Sequence, residues 1–552
     1  MEKIWLQHYP AGVPAEIDIR RYNSLVEIFD QACAQFAEKP AFSNFGTELS
    51  YQQLKEYSEQ FANYLHQELK IPTGERLAVM LPNILSYPIV LLGALKAGLI
   101  VVNVNPLYTA QELLHQLSDA KVHTVVILEN FAHVLATVRP KTSVKNVIVA
   151  RMGDLFPIIK GFAANLVVKY VKKLVPDWNI PDAISFKTAL KAGKDFNFKP
   201  VPRQLADTAF LQYTGGTTGV AKGAVLSHGN LVANIEQIVA WAGQGLTPAK
   251  EVMITALPLY HIFSLTANCL SFVMFGACHV LITDPRDISG MIKQLSKLPF
   301  SLITGVNTLF NALVNHPEFA KLDFSHLKLA LGGGAAVQAA VAEKWLAVTG
   351  LPLLEGYGLT EASPVITVTP LDSKAYSGSI GLPVPSTDVK LLDEQDQVVA
   401  QGEIGELCVK GPQVMQEYWH QPEETRKVFT ADGFLRTGDM ARMDERGYLY
   451  LVDRKKDMIL VSGFNAYPSE IENTLTQHPG VLEAAVIGLA DENTGEKIKA
   501  FVVRKDRQLR AEDLIAFCRT QLTGYKIPKE VEFIESLPKS NVGKILRRAL
   551  KA

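Results

Sequence analysis

The stretch Tyr213–Gly223 reads YTGGTTGVAKG and holds four glycines, three threonines and one lysine. Glycines let the backbone turn tightly and approach a ligand closely, and successive backbone N–H groups in such a turn form a concavity that binds anions. With the charge of Lys222 and the threonine hydroxyls, the stretch predicts a loop that holds a polyphosphate. It is not a Walker A loop, because Ala221 stands where that motif requires a glycine. The alternative is an exposed Gly/Thr turn.

The composition is that of a globular chain with several domains. A length of 552 residues predicts three or four structural units. The net charge is -1, whereas a protein that binds nucleic acid normally has a strongly basic domain. We therefore do not expect nucleic acid as a partner. Five scattered cysteines without a CxxC pair favour a reducing, cytoplasmic setting over a disulfide framework or a zinc site. We expect no secretory signal, because the first residues lack an apolar core.

Segments typical of helices and strands alternate up to about Ile380. Ser50 opens a helix, where Gln53 completes a capping box, and short apolar strands such as Arg76–Leu81 and Val252–Ala256 recur between helices. This alternation predicts parallel sheets covered by helices.

From about Ile380 glycine becomes frequent, helical periodicity fades, and short strands such as Glu406–Lys410 predict a β-rich subdomain. The charged run Asp453–Lys456 then precedes a final segment with its own helices and strands. The predicted α/β fold has a large N-terminal body (1–452) of two α/β subdomains plus a β-rich subdomain (about 380–452). A hinge (453–456) leads to a small mobile α+β domain (457–552).

Two segments admit a membrane interpretation. Ile262–Thr283 has no charged residue and is long enough to span a bilayer, but Gly276 divides it, and we interpret it as a buried helix followed by a buried strand. Phe156–Val175 carries four lysines and no acidic residue, with apolar residues at helical spacing. Such a helix can lie on an anionic membrane surface. The alternative, favoured by the shortness of the pattern, is a solvated helix packed on its own domain.

Three further stretches accompany the glycine-rich loop: EGYGLTE at Glu355–Glu361, RTGDMARMDERGYLYLVDRKKDMILVSGFN at Arg436–Asn465 and PKSNVGKILRR at Pro538–Arg548. In this order and spacing they resemble the adenylate-forming superfamily, which includes acyl-CoA synthetases, firefly-type luciferases and peptide-synthetase adenylation domains. The resemblance covers nearly the whole chain and is nearest to bacterial long-chain fatty-acid–CoA ligases. Asp432–Lys456 is similar to the fatty-acyl-CoA synthetase signature, with Phe434 where many members carry tryptophan.

The resemblance implies a reaction in two halves. A fatty carboxylate attacks the α-phosphate of ATP, giving acyl-adenylate and pyrophosphate, and the thiol of coenzyme A then displaces AMP to give a thioester. The first half depends on positioning and charge neutralisation. The implied cofactors are ATP, Mg²⁺ and the co-substrate coenzyme A. Peripheral attachment to the inner face of the membrane and a homodimer stay open.

Other functions stay open as alternatives. An adenylate-forming enzyme can deliver its acyl group to a carrier-protein thiol, and a related ligase can act on medium-chain or aryl acids. A P-loop kinase or ATPase would release ADP, and the missing Walker A glycine argues against it. A non-catalytic membrane-binding protein would have no need of Lys544, Glu361 and Asp439 together.

The resemblance also implies the residues of the nucleotide site. Around the triphosphate we expect Tyr213, Thr214, Gly215, Gly216, Thr217, Thr218, Gly219 and Lys222. Around the nucleoside we expect Gly333, Gly334, Ala335, Tyr357, Gly358, Asp439 and Arg454. Tyr357 would face adenine, and Asp439 would accept from ribose hydroxyls. The simpler roles are a core tyrosine for Tyr357 and a surface ion pair for Arg454.

The residues expected to act on the reacting groups are Lys544, Glu361, Thr360 and His261. Lys544 would bridge the carboxylate and the α-phosphate, which Thr360 would also touch. Glu361, with Thr214, would bind Mg²⁺, a hard cation that prefers oxygen ligands. His261, beside Tyr260, would border the acyl carboxylate, although a lone histidine is often structural.

The final domain is expected to supply the residues of the second half-reaction. Lys456 is the hinge candidate, and Gly463 and Phe464, with Asn465, would line the path of the pantetheine arm.

Overall fold

The computed structural model describes residues 3–214, 221–491, 494–540 and 543–551. Its strands are β1 (Pro40–Asn44), β2 (Thr47–Ser50), β3 (Arg76–Met80), β4 (Ile100–Asn103), β5 (Thr124–Leu128), β6 (Asn146–Ala150), β7 (Ile184–Ser185), β8 (Thr208–Thr214), β9 (Lys222–Ser227), β10 (Val252–Thr255), β11 (Cys278–Leu281), β12 (Leu302–Gly305), β13 (Leu329–Gly333), β14 (Leu353–Gly358), β15 (Val365–Val368), β16 (Leu382–Pro383), β17 (Asp388–Leu392), β18 (Gly405–Lys410), β19 (Leu435–Met443), β20 (Leu449–Arg454), β21 (Ile459–Val461), β22 (Phe464–Ala466), β23 (Val481–Asp491), β24 (Gly495–Arg504) and β25 (Glu530–Phe533). Its α-helices are α1 (Leu25–Gln35), α2 (Tyr51–Asn63), α3 (Ser86–Lys96), α4 (Ala110–Asp119), α5 (Ala132–Val138), α6 (Ile158–Leu166), α7 (Phe186–Gly193), α8 (His228–Ala242), α9 (Ile288–Leu295), α10 (Asn307–Val314), α11 (Ala339–Thr349), α12 (Pro422–Val428), α13 (Pro468–Gln477) and α14 (Ala511–Arg519).

Two sheets with mostly parallel neighbours form the N-terminal body. One has the order β7-β6-β5-β3-β4-β8-β9 and the other the order β16-β15-β14-β13-β12-β10-β11-β1-β2. Antiparallel pairs lie toward the edges, such as β8 with β9 and β14 with β15. Helices connect the parallel strands, so a central strand such as β5 is buried along its whole length. The prediction of an α/β body is confirmed.

Local sequence determines where several helices begin. The predicted capping box of Ser50 and Gln53 is present at the start of α2, and Thr109 with Glu112 forms a second one before α4. The uncharged run Ile262–Thr283 contains a buried π-helical segment, Ser264–Leu270, followed by the largely buried strand β11, as predicted. In the described ranges, no helix has the length and apolar character needed to cross a bilayer.

The β-rich subdomain is an antiparallel sheet in the order β17-β18-β19-β20. Strand β20 extends to Arg454, because Asp453 pairs with Met440 and Arg454 pairs with Asp439 of β19. The predicted hinge, 453–456, therefore includes the last two residues of this strand.

The C-terminal domain has its own sheet, β22-β21-β24-β23, with β25 parallel to β24. Ile471, Leu475 and Leu514 of its helices pack on this sheet in a separate core, so the predicted small α+β domain is confirmed. Strands β23 and β24 span 11 and 10 residues. Their outer residues are partly exposed, and a hydrophobic pattern detects only the buried centre of such strands.

Candidate active site

The candidate site lies at the carboxyl ends of β13 and β14, where ligands of α/β sheets commonly bind. These strands are parallel neighbours, with Gly333 opposite Gly356. The next residue, Gly334, has φ +74° and directly faces Lys544 of the C-terminal domain. A Cβ built on Gly334 would lie 3.2 Å from Cε of Lys544, so glycine permits this close approach. Ala335 follows in the exposed turn.

Lys544 lies in a pocket whose other lining residues are Leu257, Pro258, His261, Phe263, Val306 and Gly334. Burial lowers the pKa of the Lys544 ammonium to about 8; Arg454 adds to this effect, whereas Asp439 and Glu361 oppose it. Burial, with the nearby charge of Lys544, also lowers the pKa of His261 to about 3. The structure therefore brings together the two residues predicted to border the carboxylate.

The histidine in this pocket is a neutral donor. Nδ1 of His261 accepts the backbone N–H of Phe263 at 3.3 Å, which leaves the proton on Nε2. The backbone carbonyl of the preceding residue, Tyr260, accepts from the Gln212 side chain at 2.8 Å. The segment is thus fixed to β8, and His261 can offer an N–H to an anion.

The lysine-bearing loop is docked on α10 of the body. Oγ1 of Thr308 donates to the backbone carbonyl of Gly543 at 3.1 Å. Within the loop, the backbone N–H of Lys544 donates to Oγ of Ser540 at 3.1 Å. Sequence reasoning missed Thr308, because nothing in the sequence around it distinguishes it from other helical threonines.

Glu361 occupies a short 3₁₀ turn, Thr360–Ala362, just after β14. Its Oε1 accepts the hydroxyl of Tyr418 at 2.6 Å, and its backbone carbonyl accepts the N–H of Met415 at 2.7 Å. Burial raises the pKa of the Glu361 carboxyl. Thr360 and Glu361 are both half-buried at the site, and Tyr418 is a partner that the sequence motifs do not contain.

The two ends of the glycine-rich stretch face each other, because Thr214 of β8 pairs with Lys222 of β9. The predicted phosphate contacts Gly215, Gly216, Thr217, Thr218 and Gly219 lie outside the described residues. Tyr213, just before them, donates its hydroxyl to Asp119.

Lys222 is held at the wall of the site by an ion pair with Glu424 of α12. Its Nζ also lies 5.4 Å from the ring centre of Tyr418. The pKa of Glu424 is lowered to about 2, chiefly by its hydrogen bond with Lys222. Sequence reasoning did not identify Glu424, which lies far from Lys222 along the chain.

A second polar cluster joins β14 to the β-rich subdomain. The hydroxyl of Tyr357 donates to Oδ2 of Asp439 at 2.6 Å, and Nε of Arg454 lies 3.6 Å from Oδ1 of Asp439. Burial raises the pKa of Asp439. These three predicted nucleoside contacts are therefore adjacent, and Gly358 ends the strand that carries Tyr357.

The remaining predicted residues lie farther along the chain. Lys456 is in the turn between β20 and β21, where burial lowers its pKa. Ser462 and Gly463, both with positive φ, form the tight turn between β21 and β22. Phe464 is 59% exposed and stacks on Tyr525 at 5.1 Å. Of the part of the chain described, neither Gly463 nor Phe464 lines the Lys544 pocket.

Known proteins resemble this chain along its length. Residues 29–419 match the model of the AMP-binding enzyme family, and residues 470–544 match that of the AMP-binding enzyme C-terminal domain. The chain is 57% identical over 551 residues to a long-chain-fatty-acid–CoA ligase of Salmonella typhimurium strain LT2 and 58% identical over 551 residues to one of Yersinia pestis. Each alignment covers 100% of this chain and 98% of the relative. The crystal structure of ATP-bound MatB from Rhodopseudomonas palustris is similar with a TM-score of 0.83 and 28% identity, covering 96% of this chain and 98% of that one.

Proposed function

The chain belongs to the AMP-binding enzyme family, and on this premise we propose that it activates long-chain fatty acids to acyl-CoA at the expense of ATP. The reaction passes through an acyl-adenylate and releases AMP and pyrophosphate. Full-length identity of 57–58% to relatives named long-chain-fatty-acid–CoA ligase supports this assignment. The structural observation that carries it is Lys544 of the C-terminal domain seated against Gly334 at the carboxyl end of β13.

In the first half-reaction, Lys544 draws the fatty carboxylate and the α-phosphate together. Its pKa of about 8 leaves the ammonium mostly charged at pH 7. Neutral His261 offers its Nε2 proton to the carboxylate without adding a second cation that would repel Lys544. Thr360 supplies a hydroxyl to the α-phosphate, and Lys222 leaves Glu424 to meet the outer phosphates. These groups stabilise the charge that gathers in the transition state.

Mg²⁺ fits Glu361 as an ion held chiefly by the phosphates of the substrate. In the described ranges, no three acidic, histidine or cysteine side chains converge on one point. Mg²⁺ in nucleotide sites is commonly bound by one or two carboxylates plus phosphates. Glu361 is a half-buried carboxyl group whose pKa is raised by burial, and a bound cation would favour its ionised form. Glu361 and the Thr214 hydroxyl would hold the ion, which neutralises phosphate charge when bound.

The second half-reaction requires a different placement of the C-terminal domain. Lys544 has no further task once acyl-adenylate exists, and the exposed hairpin with Gly463 and Phe464 lies outside the pocket. We propose that the domain turns about Lys456 and brings this hairpin to the adenylate, where it lines the path of coenzyme A.

We also propose that helix α6 binds an anionic membrane surface. It continues as a π-helical turn, Val167–Val171, and the apolar side chains of this segment are turned to solvent instead of packing on the body. The exposed fractions reach 88% for Ile158, 86% for Ile159 and 73% for Val171. Exposed Lys169, Lys172 and Lys173 share the segment, so an anionic lipid surface would match both its apolar and its charged side chains.

The proposed function is tested by measuring AMP release from ATP with coenzyme A and saturated fatty acids of eight to eighteen carbons. Each buried CH₂ contributes about 0.8 kcal/mol, so a sixteen-carbon acid can gain at most roughly 6 kcal/mol over an eight-carbon acid. We expect acyl-CoA and AMP, with the highest kcat/KM for fourteen to eighteen carbons. Release of ADP, a need for a carrier protein in place of coenzyme A, or equal activity on octanoate would contradict the assignment.

A further inference from the structure

Asp453 is a buried carboxylate that belongs to the N-terminal body. It lies in β20, opposite Met440 of β19, and its side chain is only 2% exposed. Oδ1 accepts the backbone N–H of Arg454 at 2.7 Å. Because Asp453 is paired within the four-stranded sheet, it stays with that sheet if the chain turns at Lys456.

Two groups of the C-terminal domain bind this carboxylate. The backbone N–H of Ser469 donates to Oδ2 at 2.7 Å, and Nη1 of Arg547 donates to Oδ1 at 3.2 Å. Ser469 is in the first turn of α13, whose N-terminal end favours a negative charge. We call the contacts of Asp453 with Ser469 and Arg547 the Asp453 latch.

Contacts within the C-terminal domain orient the guanidinium of Arg547 independently of its contact with Asp453. Its Nε and Nη2 donate to the two oxygens of Glu472 at 2.9 and 2.7 Å, a forked pair that fixes the guanidinium plane. Oε1 of Glu472 also accepts the N–H of Val486 at 2.8 Å. These bonds are internal to the C-terminal domain, so a rigid rotation would preserve them, whereas it would break the contacts of Arg547 and Ser469 with Asp453.

The latch acts close to the reactive lysine. Arg547 follows Lys544 by three residues. Both belong to the segment that begins at Gly543, whose backbone carbonyl accepts the hydrogen bond from Thr308. An arrangement that keeps Arg547 on Asp453 therefore also keeps Lys544 near Gly334. Asp453 itself does not line the lysine pocket in the described part of the chain.

We propose that Asp453 is a positioning residue whose latch holds the C-terminal domain in the arrangement of the first half-reaction and opens for the second. The proposal rests on the two-step function above. The latch shifts the balance between two domain arrangements and takes no part in bond making. Weakening it should slow acyl-adenylate formation and leave thioester formation from supplied acyl-adenylate unchanged or faster.

The test is Asp453→Asn, which keeps the shape of the side chain and removes its charge. Pyrophosphate release without coenzyme A should fall about tenfold to a hundredfold, the scale of one hydrogen bond to a charged group. Thioester formation from supplied palmitoyl-adenylate should not fall. Arg548→Gln, at an exposed arginine beside Arg547, is the matched control and should change neither step. Equal losses in both steps of Asp453→Asn, or no change in either, would overturn the latch.

A second measurement tests for the Asp453 latch in the absence of substrate. Hydrogen exchange at the Ser469 amide should be slow in the wild type and faster in Asp453→Asn, because the amide loses a charged acceptor. No increase in exchange would overturn the proposal. Failure of the proposed function would instead appear as a wild type that forms no acyl-adenylate from palmitate, with the exchange difference intact.

Discussion

At the scale of single residues, the charge of Lys544 depends on its surroundings. Burial and Arg454 lower its pKa to about 8, whereas the carboxylates of Asp439 and Glu361 favour the charged form. An ammonium with this pKa is charged at neutral pH and neutral in moderately alkaline solution. If Lys544 acts in the first half-reaction as proposed, we expect that step to depend on pH in a way that an exposed lysine would not produce.

The kcat/KM of acyl-adenylate formation should fall as pH rises through about 8, by tenfold per unit beyond it. Only the protonated lysine attracts the carboxylate and the phosphate, and kcat/KM reports the pKa of the free enzyme. The measurement is a pH profile of pyrophosphate release. Lys544→Arg, whose guanidinium stays charged, should lack this decline at whatever rate remains. A decline that persists in the arginine variant would assign it to another group.

Glu361→Ala should abolish acyl-adenylate formation while the chain stays folded, because it removes the half-buried carboxylate expected to hold Mg²⁺. Tyr418→Phe is the matched control, since it removes the hydrogen bond to Oε1 and keeps the carboxylate. The measurement is the Mg²⁺ dependence of pyrophosphate release, with circular dichroism to check folding. If Glu361→Ala keeps an unchanged Mg²⁺ dependence, the carboxylate has another role.

The candidate site residues were those that lie inside recognisable motifs, and the structure brings several of them together. Lys544 and His261 do meet in one pocket, and Tyr357 does meet Asp439. Sequence reasoning missed Tyr418, Glu424 and Thr308, which lie at the candidate site and come from segments distant along the chain. Such partners are chosen by the folded arrangement, and neither spacing nor composition marks them in advance.

At the scale of elements, α6 is the segment whose sequence left two interpretations open. Its buried Gly161 and the hydrogen bonds of Lys160 to Phe45 and Thr47 hold it on its own domain, whereas its outer apolar side chains are exposed, so both interpretations stay open. Among the elements named from the sequence, β3 and β10 have nearly continuous buried patterns, and the start of α2 is marked by its capping box. Burial on both faces leaves a hydrophobic signal, whereas a half-exposed strand end leaves little.

If α6 docks on anionic lipid, replacing three of its lysines with glutamine should reduce co-sedimentation with phosphatidylglycerol vesicles at low salt. Each lysine near such a surface contributes about 1 kcal/mol. The three lysines are Lys169, Lys172 and Lys173. A control variant with the same charge change carries glutamine at the exposed Lys191, Lys194 and Lys199. Absence of vesicle binding by the wild type, or equal losses in both variants, would refute docking through α6.

At the scale of the whole molecule, the two half-reactions make opposing demands on the C-terminal domain. The pocket contains Lys544, whereas the hairpin of Gly463 and Phe464 is exposed elsewhere on the same domain. We expect that no single rigid placement presents both to the adenylate, so the proposed function requires a rotation between the steps. Proline at 456 would fix φ near −65° and restrict Lys455. Proline at this position should block the rotation without removing any of the groups proposed to form the acyl-adenylate.

The measurement that tests this most directly is the rate of each half-reaction, determined separately in Lys456→Pro and Lys544→Ala. Lys456→Pro should form acyl-adenylate and lose most thioester formation from supplied acyl-adenylate. Lys544→Ala should lose about 10²–10³ in acyl-adenylate formation, the scale of one charge contact in the transition state, and keep the thioester step nearly intact. Equal losses of both half-reactions in both variants would contradict the two-position account.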